Sequence, residues 1–107
     1  NLDGISSFNN LQELYLNDNK LTDLSAVSDC NRLKTLVLSY NKIRDLSSLS
    51  SLTALEYLDI SSNKNIKDIS VLYRLTRLKT LNISNTNVSQ KEYRQLIKKL
   101  PACQIIY

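Results

Sequence analysis

Histidine, tryptophan and methionine are absent from the 107 residues, and glycine, proline and phenylalanine occur once each. Cysteine occurs twice. Without histidine, and with so little cysteine, most zinc sites, Ser-His-Asp triads and Cys-His pairs are excluded together. The lone Gly4 cannot build a glycine-rich phosphate loop. Scarce glycine and proline also exclude a collagen-like or flexible low-complexity chain. No apolar run is long enough for a membrane-spanning helix. What is present is 42% hydrophobic and 22% charged, in a length that suits one domain with a core of its own.

Charge is divided unevenly. Residues 1–53 carry five basic and six acidic side chains, whereas residues 54–107 carry nine and four. The excess consists of Lys64, Lys67, Arg74, Arg77, Lys79, Lys91, Arg94, Lys98 and Lys99. Such a half can meet nucleic acid or an acidic surface, but these residues are spread along the chain, which is the habit of a solvated face.

Self-similarity dominates the sequence. Leu11, Leu14, Leu16, Asn19, Leu21 and Leu24 return 22 residues later as Leu33, Leu36, Leu38, Asn41, Ile43 and Leu46. They return again as Leu55, Leu58, Ile60, Asn63, Ile66 and Ile69, with one residue added after Asn63. A fourth copy is Leu78, Leu81, Ile83, Thr86 and Val88. Each unit closes on a second apolar pair, Val27 and Cys30, Leu49 and Leu52, or Leu72 and Leu75. Leu2, Ile5 and Phe8 fit that second half, so the chain opens partway through a unit. It does not begin with Met and shows no signal-peptide pattern, and it reads as a fragment or a processed chain. Leu100, Cys103 and Ile105 fit the opening of a fifth unit.

This pattern resembles the leucine-rich repeat family, whose core is LxxLxLxxNxL. The repeat length and the segments "DLSAVSDC", "DLSSLSSL" and "DISVLYRL" are similar to the subclass of bacterial internalins and a phosphatase-regulating subunit. The resemblance implies an α/β solenoid with a parallel sheet on its concave face, and a module that binds a protein partner. It implies a bacterial surface or secreted setting if internalin-like, or otherwise a cytoplasmic one. The unit boundaries are a partial repeat over 1–10, full repeats over 11–32, 33–54 and 55–77, and a last repeat with its cap over 78–107.

The physics of the residues agrees. "ELYLN", "TLVLS", "YLDIS" and "TLNIS" alternate apolar and polar residues, as strands with one buried face do. A 22-residue return is too short for a helical crossover and suits coils stacked on one another. From Leu24 to Cys30, Leu46 to Leu52 and Ile69 to Leu75, apolar residues at every third position predict short 3₁₀ turns on the convex side. Asn19, Asn41 and Asn63 stand where the chain leaves each strand, and their amides are placed to satisfy turn backbone as a ladder. Thr86 in the fourth copy marks a change in the coil.

The C-terminus reads as a cap. Ser89 and Glu92 form a capping box, Val88 is placed to staple onto Tyr93, and Tyr93, Leu96, Ile97 and Leu100 share a helical face. Lys98 and Lys99 suit the negative end and Pro101 stops the helix, which predicts an α-helix over Gln90–Leu100 followed by a last strand in "ACQII". The N-terminal Leu2, Ile5 and Phe8 lack such a cover, which predicts preceding residues, a partner or a second copy at that end. Cys30 stands in the Leu52 slot and Cys103 in the slot of Leu14, Leu36, Leu58 and Leu81, so both are expected to be buried thiols too far apart to pair. Sequons at Asn82 and Asn87 would count only in a eukaryotic secretory pathway.

Residues between the inward leucines form columns on the concave face. The first is Glu13, Thr35, Tyr57, Thr80 and Ala102, and the second Tyr15, Val37, Asp59, Asn82 and Gln104. The third is Asn17, Ser39, Ser61, Ser84 and Ile106, and the fourth Asp18, Tyr40, Ser62, Asn85 and Tyr107. The candidate partner-binding residues are Glu13, Tyr15, Asn17, Asp18, Thr35, Val37, Tyr40, Tyr57 and Asp59. Tyrosine covers a large area at low entropic cost, which is why it recurs at interfaces. The expected partner is a protein with apolar anchors and basic groups. A small-molecule substrate, a cofactor, a metal and a nucleic acid are not indicated, because nothing forms a nucleophile–base pair and the basic residues are spread rather than clustered. The alternatives are a structural or capping segment of a longer array, and a recognition domain attached to an enzyme elsewhere in its parent chain.

Overall fold

The computed structural model describes Gly4 and residues 9–107. The expectation about Leu2, Ile5 and Phe8 lies outside the described residues.

Five three-residue strands build one parallel sheet in chain order: β1 (Glu13–Tyr15), β2 (Thr35–Val37), β3 (Tyr57–Asp59), β4 (Thr80–Asn82) and β5 (Gln104–Ile106). The central residue of each strand points inward, and Leu14, Leu36, Leu58, Leu81 and Ile105 stand in one register. Leu36, Leu58 and Leu81 are fully buried. These stacked leucines make the core a column, so each coil buries its apolar face only against its neighbours. The residue inserted after Asn63 is absorbed before the next strand, since Tyr57 still pairs with Thr80.

Each of β1, β2 and β3 is followed by a turn and then a 3₁₀ segment, Ser25–Asp29, Ser47–Ser51 and Ser70–Arg74 in that order. The start of each is fixed by an aspartate two residues upstream. Asp23, Asp45 and Asp68 Oδ1 accept the N–H of Ser25, Ser47 and Ser70 at 2.8, 2.8 and 2.9 Å. This is an Asx turn, in which a short side chain stands in for a backbone acceptor. The triplets "DLS" and "DIS" announce it in every full repeat. Val27, Leu49 and Leu72 then point inward from the middle of each segment.

The far end is closed by α1 (Gln90–Lys99), one residue shorter than the sequence reading, with Leu100 as its C-cap. The capping box is present: Glu92 N–H donates to Ser89 Oγ at 3.1 Å and Ser89 N–H to Glu92 Oε1 at 3.0 Å. Val88, Leu96 and Leu100 join the core, with Tyr93 packed at its edge. Ile97 does not: it stays 45% exposed, because the helix presents a narrower face than its apolar spacing offers.

One strand register differs from expectation. Ile105, not Cys103, sits beside Leu81, and Gln104, not Ala102, pairs with Thr80. The reason lies in the turn after α1. Cys103 N–H donates to Leu100 O, the same bond that Leu78 N–H makes to Leu75 O. Cys103 therefore repeats Leu78, and the strand starts one residue after it rather than two. Cys103 is half-buried instead of fully buried, while Cys30 is buried, and the two form no disulfide. Burial raises both thiol pKa values, helped at Cys30 by the nearby Asp29 charge.

The shift also moves Tyr107 off the concave face. It follows Ile106 as Ile83 follows Asn82, which is an inward position. Its ring stacks on Tyr93 with centroids 4.4 Å apart, and its hydroxyl donates to Val88 O at 3.1 Å.

Candidate functional site

The strand exits set the shape of the exposed face. The three carboxamides behave differently there. Asn63 is fully buried; its Nδ2 donates to Leu38 O, Ile60 O and Ser61 O, and its Oδ1 accepts from Ile43 N. Asn41 donates to Leu16 O, Leu38 O and Ser39 O, and accepts from Asn19 N and Leu21 N. Asn19 is exposed, and among the described residues its side-chain amide bonds only Asn17 O. Leu11, Leu14 and Leu16 in the same coil are half-buried, so this rung lacks the enclosure of the other two. Thr86 closes the fourth turn alone, donating to Ile83 O at 2.6 Å.

In each of these four turns the residue before the Asn or Thr lies in the left-handed region. Asp18, Tyr40, Ser62 and Asn85 have φ of 63, 59, 58 and 54°. This conformation is uncommon without glycine, and for a bulky residue it is strained. No glycine marks it in the sequence, so sequence reasoning missed it.

On the face itself, Tyr15, Asn17, Thr35, Val37, Ser39, Tyr57 and Asp59 line an open groove of about 620 Å³. Six of the nine candidate residues are thus brought together, and Ser39, which the candidate set omitted, forms part of the lining. Glu13, Asp18 and Tyr40 lie outside it. Tyr15 and Tyr40 are 59% and 62% exposed, large apolar surfaces left open to solvent. Asp59 is half-buried, and its Oδ1 accepts the Ser61 N–H at 2.9 Å. Asn17 is tied to Asp18 by an amide–carboxylate bond of 3.1 Å. Beside the first column, Lys79 pairs with Glu56 at 3.3 Å.

A second hollow of about 320 Å³ lies on the convex side among Asp45, Ser47, Ser50, Asp68, Ser70, Val71 and Arg74. Its carboxyls are held below their ordinary pKa, first by the Ser47 and Ser70 backbone N–H groups and then by those serine side chains. They serve the turns there. Among the described residues no group of acidic, histidine or cysteine side chains is arranged to hold a metal ion. No helix among them is long and apolar enough to cross a membrane.

Comparison with known proteins extends this picture. The family model for leucine-rich repeats in two copies matches residues 9–51, 31–74 and 53–101. The solved internalin InlF of Listeria monocytogenes is 30% identical with a TM-score of 0.87, covering 95% of this chain and 29% of that one. A leucine-rich repeat protein of Leptospira interrogans is 30% identical with a TM-score of 0.86, covering 96% of this chain and 27% of that one. Internalin C2 of Listeria monocytogenes is 26% identical with a TM-score of 0.79, and 43% of it is covered. The chain thus spans less than half of each of these structures. No curated protein is similar enough to count as a relative. The stacked leucines, the buried asparagines and these matches agree: the chain belongs to the leucine-rich repeat family, with an internalin-like repeat.

Proposed function

We propose that this chain is a protein-recognition module that binds its partner on the concave face, across β1 to β3. Leucine-rich repeat folds commonly serve protein–protein interaction. The observation that carries the reading is the groove framed by Tyr15, Val37, Tyr57 and Asp59, with Tyr40 exposed beside it. A sheet held by stacked leucines presents these side chains already ordered, so little conformational entropy is lost on binding. The role is binding rather than catalysis, because the carboxylates of the face, Glu13, Asp18 and Asp59, stand among serine, threonine and asparagine, with no nucleophile–base pair among the described residues.

The test is a comparison of baits. Partners captured by the wild-type chain are measured against a Tyr15→Ala/Tyr57→Ala double variant whose fold is verified by circular dichroism. Loss of both anchors weakens binding by more than about 2 kcal/mol, roughly 30-fold. Equal affinity for both baits would reject the concave face.

A further inference from the structure

We infer that the groove seats one arginine side chain of the partner, its guanidinium on Asp59 and its flat face against Tyr57 and Tyr15. This rests on the concave-face reading and specifies the chemistry of its occupant.

The charge of the face carries the inference. Across all of its columns in β1 to β4 and their exits there is no lysine or arginine, while Glu13, Asp18 and Asp59 are acidic. Basic residues begin only outside it. Lys34 and Lys79 flank the first column, with Lys79 already paired to Glu56. Lys20, Lys42 and Lys64 follow the asparagine turns. A cation arriving at the face therefore meets carboxylates with no neighbouring ammonium to displace.

Of the three carboxylates, only Asp59 lines the groove. It is also the only one of them that is half-buried. Its Oδ1 is held by the Ser61 N–H, which fixes the orientation of the carboxyl. Among the described residues Oδ2 accepts no hydrogen bond, and it faces solvent in the groove. Asp59 pairs across the ladder with Val37, which pairs in turn with Tyr15, and Tyr57 stands two residues before it on the same side of the sheet. One strand spacing is about 4.8 Å, so carboxylate and tyrosine rings lie within the reach of one long side chain. A partly enclosed carboxylate beside π faces matches a planar cation. Arginine stacks on aromatic rings and directs several donors in one plane, whereas lysine offers a compact, strongly hydrated charge.

The experiment is an NMR titration of the isotopically labelled 107-residue chain. The probes are N-acetyl-arginine methylamide, its citrulline isostere, which is neutral, and the lysine analogue. Arginine is expected to bind in the millimolar range with shifts centred on Tyr15, Val37, Tyr57 and Asp59, and citrulline and lysine at least about fivefold more weakly. Asp59→Asn, which keeps the acceptor for Ser61, should reduce arginine to the citrulline level and leave citrulline unchanged. Equal binding of arginine and citrulline, lysine binding as well as arginine, shifts centred elsewhere, or no saturable shift would each overturn the assignment. Failure here is separable from failure of the broader reading. If a captured partner still needs Tyr15 and Tyr57 but tolerates Asp59→Asn, the arginine seat falls and the concave face stands.

Discussion

Asparagine to alanine substitutions at the three strand exits should cost unequal amounts, because the groups they leave behind differ. Asn63→Ala removes the acceptor for Ile43 N–H and, among the described residues, the hydrogen-bond partner of Ile60 O. Ser61 O keeps the Tyr40 N–H, and Leu38 O keeps the Asn41 amide. Two buried groups are thus orphaned, at about 1–3 kcal/mol each, so the loss is about 2–6 kcal/mol. That is a large part of the ~5–15 kcal/mol that holds an ordinary domain together. Asn41→Ala orphans Leu21 N–H in the core, but Asn19 N–H and Leu16 O lie in the half-buried first coil, where water reaches them. Its loss should be about half as large. Asn19→Ala removes one exposed local bond and should change stability by no more than about 0.5 kcal/mol. The double variant Asn41→Ala/Asn63→Ala supplies the sharper test. Leu38 O accepts from both amides at 2.9 Å, so each single variant leaves it satisfied and the double leaves it bare. The two losses should therefore exceed additivity by about 1 kcal/mol or more. Urea unfolding followed by far-ultraviolet circular dichroism measures all four variants. Equal losses at Asn19 and Asn63, or strict additivity of Asn41 and Asn63, would refute the reasoning.

Three other outcomes follow from local geometry. Ser89→Ala removes the N-cap acceptor of α1 and should lower stability by about 1 kcal/mol in urea unfolding; an unchanged midpoint would mean that the cap contributes nothing. Tyr40→Asn places a residue that tolerates the left-handed region at a φ of 59°, where the ring it removes is mostly in solvent, and should raise stability by about 0.5–1 kcal/mol. A lower stability would show that the ring packs more than its exposure implies. Asp45 and Asp68 have folded pKa values below the ordinary 3.8, so the stability they contribute is complete above that value and is lost as pH falls through their folded values. The urea midpoint should fall less on acidification in Asp45→Asn/Asp68→Asn, which keeps both turn acceptors but removes their titration; an identical acid limb would refute their part.

The interior was legible in the sequence because it is periodic. Leu36 and Leu58 differ by one repeat length, and alternation about each of them states which neighbours face outward. The same alternation placed Tyr15, Val37, Tyr57 and Asp59 on one face, so most of the groove could be read before its shape was known. Legibility failed where two readings share one spacing. The step from Leu100 to Cys103 fits both the opening of a repeat and the junction between repeats, and only the Cys103–Leu100 hydrogen bond decides between them. It failed again at Tyr40 and Ser62, whose left-handed backbone belongs to the turn at each strand exit, shared by Asp18 and Asn85, rather than to their own preference. Ser39 escaped notice for a related reason. A small residue contributes to a groove through the space it leaves, which becomes visible only once its neighbours are in place.

The parallel rings of Tyr93 and Tyr107 give the molecule an internal optical signal. With no tryptophan to mask it, near-ultraviolet dichroism comes from six tyrosines, and the contribution of this pair requires that the chain end be seated on the helix. Detachment of the end and collapse of the repeats can therefore be followed at separate wavelengths. The order in which the two occur becomes a measurable property of the unaltered protein.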